Sequence, residues 1–148
     1  MNPINNYPVK NALLENDALV QPWSTWFQSI VNTLGFKNNH GQAWMPVVSG
    51  LTTAGSVTIS GHYSRIGNIL VASIKIATSG GGTSASVLGT TYLTLPFTLI
   101  QETTFTVVNL TTKASLGVCL AQGNRVYVPA WLATTDNILI SGSGLTDD

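Results

Sequence analysis

Residues 63–77 read YSRIGNILVASIKIA. Two strand-like runs, Tyr63–Arg65 and Ile69–Ala77, flank Gly67-Asn68. Both turn residues tolerate positive φ, so the stretch predicts a tight β-hairpin. The same signal recurs at residues 121–128, AQGNRVYV, where Gly123-Asn124 sits between strand-like runs. Further runs rich in Val, Ile, Thr and Leu follow the same rule, each bounded by Gly, Asn or Pro: Trp44–Val48, Gly55–Ser60, Tyr92–Leu95, Thr103–Asn109, Ser115–Gln122, Arg125–Trp131 and Asn137–Ser141. Short strands with regular turn signals predict an all-β domain over residues 44–148, an antiparallel β-sandwich of jelly-roll-like type. Ser79-Gly80-Gly81-Gly82-Thr83 reads as a flexible loop between strands.

The anomaly is charge. Only 8% of the 148 residues are Lys, Arg, Asp or Glu, and six bases balance six acids; soluble proteins average roughly 25%. So few charges give a free monomer little electrostatic protection against self-association. Two readings follow: a surface covered by copies of itself or another protein, or a monomer kept soluble by Asn, Ser and Thr. The basic residues Lys10, Lys37, Arg65, Lys75, Lys113 and Arg125 are scattered singly, so no patch to neutralise phosphates is expected and nucleic acid is not an expected partner. No apolar run approaches the roughly 20 residues that span a bilayer, and the first residues lack the basic-then-apolar order of a secretory signal. Cys119 is the only cysteine and lies in an apolar run, where it reads as a small buried hydrophobe. Asn109-Leu110-Thr111 matches a glycosylation sequon that is expected to be idle.

Before the β-domain comes a different composition. Residues 1–21 contain Pro3, Pro8 and five asparagines around short apolar patches, which suits an extended arm laid along another surface, or a disordered tail. QPWSTWFQSIVNTLGF (21–36) then predicts a helix over 22–35, with Pro22 at its start and Gly35 as its stop. Trp23, Trp26, Phe27, Ile30, Val31 and Leu34 fall within an arc of roughly 140°. The opposite face is Ser, Thr, Gln and Asn, without charge. Burying the apolar face contributes on the order of 10 kcal/mol at roughly 25 cal/mol per Å². It needs a protein partner, either its own β-domain or a neighbour in an assembly; a lipid surface would favour basic residues on the polar face. Trp23, Trp26, Phe27, Ile30 and Leu34 are therefore the candidate assembly interface.

Catalytic patterns are missing. His40 and His62 are the only histidines, and with one cysteine and scattered acids they give no metal-ligand spacing. No Gly-x-Ser-x-Gly elbow is present, and the glycines at 80–82 lack the lysine and helix of a phosphate loop. The expectation is a non-enzyme without cofactor or metal. Trp44, Tyr127 and Trp131 are candidate ligand or subunit contacts, through sugar stacking or packing. If Arg125–Trp131 is one strand, Tyr127, Pro129 and Trp131 share a face. Arg65, beside the tight turn, reads as a hydrogen-bonding strand end with no functional role.

The order of motifs resembles small virion structural proteins of tailed bacteriophages. It is carried by P-W-x-x-W-F-x-x-I at Pro22–Ile30, Leu34-Gly35, Val48–Gly50, Tyr63–Val71, Leu95–Phe97, Val126–Trp131 and Ile138–Gly142. The resemblance implies a β-sandwich forming homo-oligomers, often trimers, on the virion, with the N-terminal segment as attachment element. Its partners would be itself and other virion proteins such as the major capsid protein, and it would assemble in the host cytoplasm. A capsid decoration or cement protein is the expected type, since one globular domain leaves no shaft. The alternative is a fibre or appendage protein that binds host-surface glycans.

Overall fold

The computed structural model describes residues 14–15, 18–19, 21–33 and 41–147. The chain divides into two units, residues 1–39 and 40–148. In the first unit β1 (Leu14–Glu15) pairs antiparallel with β2 (Ala18–Leu19), Leu14 opposite Leu19. The rest of the expected arm lies outside the described residues. Helix α1 follows as Gln21–Thr33, with no charged residue in its first or last turn. Pro22 falls in the first turn, where its missing N–H costs no hydrogen bond. Gly35, the expected stop, lies outside the described residues.

The second unit is antiparallel β throughout its described pairings. Its strands are β3 (Gln42–Trp44), β4 (Val48–Ser49), β5 (Thr52–Ile66), β6 (Ile69–Ser86), β7 (Tyr92–Thr94), β8 (Thr103–Asn109), β9 (Ser115–Gln122), β10 (Arg125–Tyr127), β11 (Trp131–Thr134) and β12 (Ile138–Leu145). They form one ladder in the order β3-β5-β6-β12-β8-β9-β10-β7-β4, with β11 added beside β6. The all-β class is as expected. The strands share one continuous sheet, and the hydrogen bonding marks no break between two sandwich layers.

That sheet curls until its ends meet. β3 and β4, the two ends of the ladder, are joined by only Met45-Pro46-Val47. Val47 and Thr94 exchange hydrogen bonds, Thr94 N to Val47 O at 2.9 Å and Val47 N to Thr94 Oγ1 at 2.8 Å. Trp44 on β3 donates its indole Nε1–H to the Thr94 carbonyl at 3.3 Å. Two- and three-residue end strands tied together this way leave little unpaired edge.

The core lies on the concave face. Alternation sends Leu70, Ala72, Ile74 and Ile76 of β6, Ile138 and Ile140 of β12, Phe105 and Val107 of β8, Cys119 and Ala121 of β9 and Val126 of β10 inward. Phe105 is fully buried and lies against Gly142, its cross-strand partner; a Cβ at 142 would come 2.5 Å from the ring. Cys119 is buried as expected, and that burial pushes its thiol pKa up to about 12. Asn109 is buried too. Its amide nitrogen donates to Asp136 Oδ2 at 2.7 Å, and its carbonyl oxygen accepts from the Thr111 and Thr112 N–H groups. Both ends of the sequon side chain are thus committed to the turn after β8.

Both predicted tight turns are present. Ile66 pairs with Ile69 and Gln122 with Arg125, each across two residues, and φ is +57° at Gly67 and at Gly123. The strands around the first turn are much longer than expected. Gly55–Ser60 and Tyr63–Arg65 belong to the single strand β5, and β6 continues through residues 79–83, expected as a loop. The ladder accommodates Gly80-Gly81-Gly82 as a bulge opposite Gly55: Ala54 pairs with Thr83 and Ser56 with Ser79. Gly80 and Gly81 adopt positive φ, and a Cβ on Gly82 would overlap the Ser56 backbone. Glycine therefore permits the close approach rather than ending the strand.

The run Arg125–Trp131 is also corrected. β10 stops at Tyr127, and Trp131 begins β11 on a different neighbour, Ser86 of β6. Pro129 has no N–H to continue a ladder. Its carbonyl instead accepts from Ser86 Oγ, which accepts in turn from Trp131 N.

Candidate functional site

The convex face of the sheet carries what the core does not use. In an antiparallel ladder, directly paired residues lie on one side. One outward row therefore runs His62, Ser73, Ser141, Thr106, Val118 across β5, β6, β12, β8 and β9. Ser64 and Val71 are paired in the neighbouring row, as are Val71 and Ser143, and further across Thr104 and Leu120. Ile66, Ile69 and Leu145 close the face at the hairpin end. Val118 is 64% exposed, Val71 50% and Leu120 45%, large fractions for branched apolar side chains.

The centre of this face is recessed. Ser141, Gly142 and Ser143 are small, and with His62, Ser73, Thr104 and Thr106 they line a depression of about 590 Å³. Several hydroxyls there already have partners in the sheet: Thr106 Oγ1 donates to the Ser141 carbonyl at 3.2 Å and Ser73 Oγ to the His62 carbonyl at 3.4 Å. Between Ser60 and Ile66 the rows across β5, β6 and β12 include His62 and Lys75 and no carboxylate. His62 stands opposite Ser73, but no acid is placed in that row to orient its imidazole. Among the described residues no group of three His, Cys, Asp or Glu is placed to hold a metal, and no described helix is long and apolar enough to cross a membrane.

Most residues singled out as an assembly interface gather on α1. Trp23 and Trp26 meet edge-on with centroids 5.6 Å apart, Phe27 lies 5.0 Å from Trp26 and 6.2 Å from Trp23, and Phe27 is 41% exposed. Ile30 is half-buried. Leu34 lies outside the described residues. These contacts follow from the three- and four-residue spacing of one helical face.

The second set is dispersed. Trp44 is half-buried, with its ring 5.8 Å from Tyr63, which lies 5.3 Å from Phe97. Arg65 packs its guanidinium 5.1 Å from the Phe97 ring centre and donates to the carbonyls of Gly67 and Asp147, as a strand-end residue. Trp131 is 8% exposed and belongs to the core, so its ring offers no stacking surface. Tyr127 is half-buried beside Tyr92, 5.7 Å between rings, and Arg125 lies 4.6 Å over Tyr92. A hydrogen bond with Tyr127, followed by the nearby phenol groups, holds the Arg125 pKa above its ordinary value.

The sequence reading missed the convex face. Its signal is visible in hindsight, since Ile69-Leu70-Val71 and Val118-Cys119-Leu120 are apolar at consecutive positions, which in a strand addresses both faces at once. Comparison of the chain with protein-family profiles, with curated proteins and with solved structures finds no match.

Proposed function

We propose that this protein is a non-enzymatic structural component of a tailed-bacteriophage particle, a capsid decoration or cement protein that works by self-association and by contact with other virion proteins. The phage assignment rests on the sequence resemblance. The assembly role is supported above all by one observation: a β-unit poor in charge carries branched apolar side chains on the convex side of β6 and β9 as well as on the core side. The exposed Phe27 in the aromatic cluster of α1 supports the same reading. Cementing is mechanical. Oligomers seated over junctions between capsid subunits add buried area that opposes the pressure of packaged DNA. Particles lacking the protein should burst earlier on heating or osmotic shock; equal survival of stripped and intact heads would sink the proposal.

A second reading, an appendage that binds host glycans, is favoured by the Tyr92, Tyr127 and Arg125 cluster, which offers aromatic rings and a guanidinium at the surface. Binding of oligosaccharides by the wild type, lost in Tyr127→Ala, would move the assignment to it.

A further inference from the structure

The end strands have little edge of their own, but β5 outruns β3. On its outer side β5 is paired only at residues 61–63, and the chain leaves that side at the buried Pro46 to reach Thr94. Residues 56–60 are paired with β6 alone, between the bulge at Gly55 and the pair Trp44–Gly61. The hairpin decides which backbone groups this stretch points outward. Ile66 and Ile69 close a two-residue turn, so they exchange hydrogen bonds, and bonded and unbonded pairs alternate from there. The register is unbroken back to Ser56, so Ser56, Thr58 and Ser60 bond to β6, whereas Val57 and Ile59 turn their N–H and C=O groups away from it. Thr78, the partner of Val57, likewise turns its N–H away, to Asn137 Oδ1 at 3.0 Å. Among the described residues none takes up the outward groups of Val57 and Ile59. From this juxtaposition the geometry points to a two-fold contact in which the β5 edges of two copies pair antiparallel, centred on Thr58, and join their sheets into one.

A second copy suits this edge for three reasons. The first is register. A strand meeting its own copy antiparallel is related to it by a two-fold axis. Outward groups at 57 and 59 then set Val57 against the partner's Ile59 and Thr58 against the partner's Thr58 on the axis, with about four backbone hydrogen bonds exchanged. Moving the axis by one residue sets Ile59 against the bulged Gly55 or Val57 against Gly61, whose outer side β3 already holds. The second reason is side-chain chemistry. Val57 and Ile59 are half-buried against the core, and each would be covered by the other from the second copy, while Thr58 opposite Thr58 is a favourable cross-strand pair. The third is that nothing guards the edge: residues 52–60, TTAGSVTIS, contain no charge and no proline, the usual devices against strand addition. The N-terminal arm of a neighbour would serve less well, since Pro3 and Pro8 lack the N–H that a ladder needs.

This inference rests on the self-association reading, and crosslinking and sedimentation of the full chain separate the two. Residues opposed in a non-hydrogen-bonded pair have Cα atoms ~4.5 Å apart, a distance a disulfide spans. Thr58→Cys, at an exposed position in a chain whose own Cys119 is buried, should therefore give a disulfide-linked dimer of twice the 15.6 kDa chain mass under mild oxidation. Ser56→Cys, exposed on the same side of β5, should not, because the two-fold sets its copies roughly 13 Å apart along the strands. Thr58→Lys and Thr58→Glu should each associate about fivefold more weakly alone and recover when mixed, as like charges across the axis become opposite ones. Equal crosslinking of the two cysteine variants, or none in a chain that sediments as an oligomer, would overturn the inference and leave self-association standing. A wild type that sediments as a monomer at all concentrations would overturn both.

Discussion

Trp44 donates its indole N–H to the carbonyl of Thr94, fifty positions along the chain, and this contact ties β3, one end of the ladder, to β7, the strand that pairs with the other end. The same indole covers Gly61, its cross-strand partner on β5, where a Cβ would come 2.6 Å from the ring. Closure of the sheet thus depends on a large ring over a residue without a side chain.

Substitution on either side of this pair should loosen the closure. Trp44→Phe removes the donor and should cost about 1 kcal/mol. Gly61→Ala forces overlap with the ring and should cost about 1–3 kcal/mol. Urea denaturation followed by tryptophan fluorescence measures Gly61→Ala, and circular dichroism measures both.

The glycines of the β6 bulge should differ in cost. Gly80 adopts φ +58° with nothing near its missing Cβ, so Gly80→Ala carries only the left-handed backbone penalty, about 1–2 kcal/mol. Gly82→Ala overlaps the Ser56 backbone and should be the more destabilising of the two. Equal urea midpoints for the two variants would contradict this description of the bulge.

Asp136 sets an acid limit. Its pKa is lowered first by the Asn109 amide and then by the Thr134 hydroxyl hydrogen bond. Because the folded value lies below the unfolded one, near 3.9, its contribution is complete above the unfolded pKa and disappears as pH falls through the folded pKa. Asp136→Asn should therefore flatten the stability profile below about pH 4. Denaturation midpoints of the two proteins at pH 3 and pH 6 test it.

Cys119 should be silent in the native protein. With its thiol pushed up to about 12 by burial, almost no thiolate forms at pH 8. A disulfide reagent should label it only after unfolding. Rapid native labelling at stoichiometric yield would show that the core opens at β9.

Much of this fold is legible in residues 63–128. Gly-Asn between strand-like runs marks both tight hairpins, and the runs Thr103–Asn109, which closes on Asn109, and Ser115–Gln122, which is followed by Gly123, are strands with the observed ends. Gly80–Gly82 misleads because glycine serves loops and bulges alike, and only the opposing Gly55 and Ser56 decide which. Trp131 misleads because Pro129 moves the chain from β9's neighbourhood to β6. The candidate site was harder to read. Helical spacing announces Trp23, Trp26 and Phe27, whereas Val71, Ser141, Thr106 and Val118 become neighbours only through strand order, which no local pattern encodes.

Quantitative mass spectrometry of purified phage particles from cells expressing this protein tests the central claim most directly. A decoration protein predicts hundreds of copies per particle, held on the head after the tail is removed. Particles that contain none of it would contradict the account.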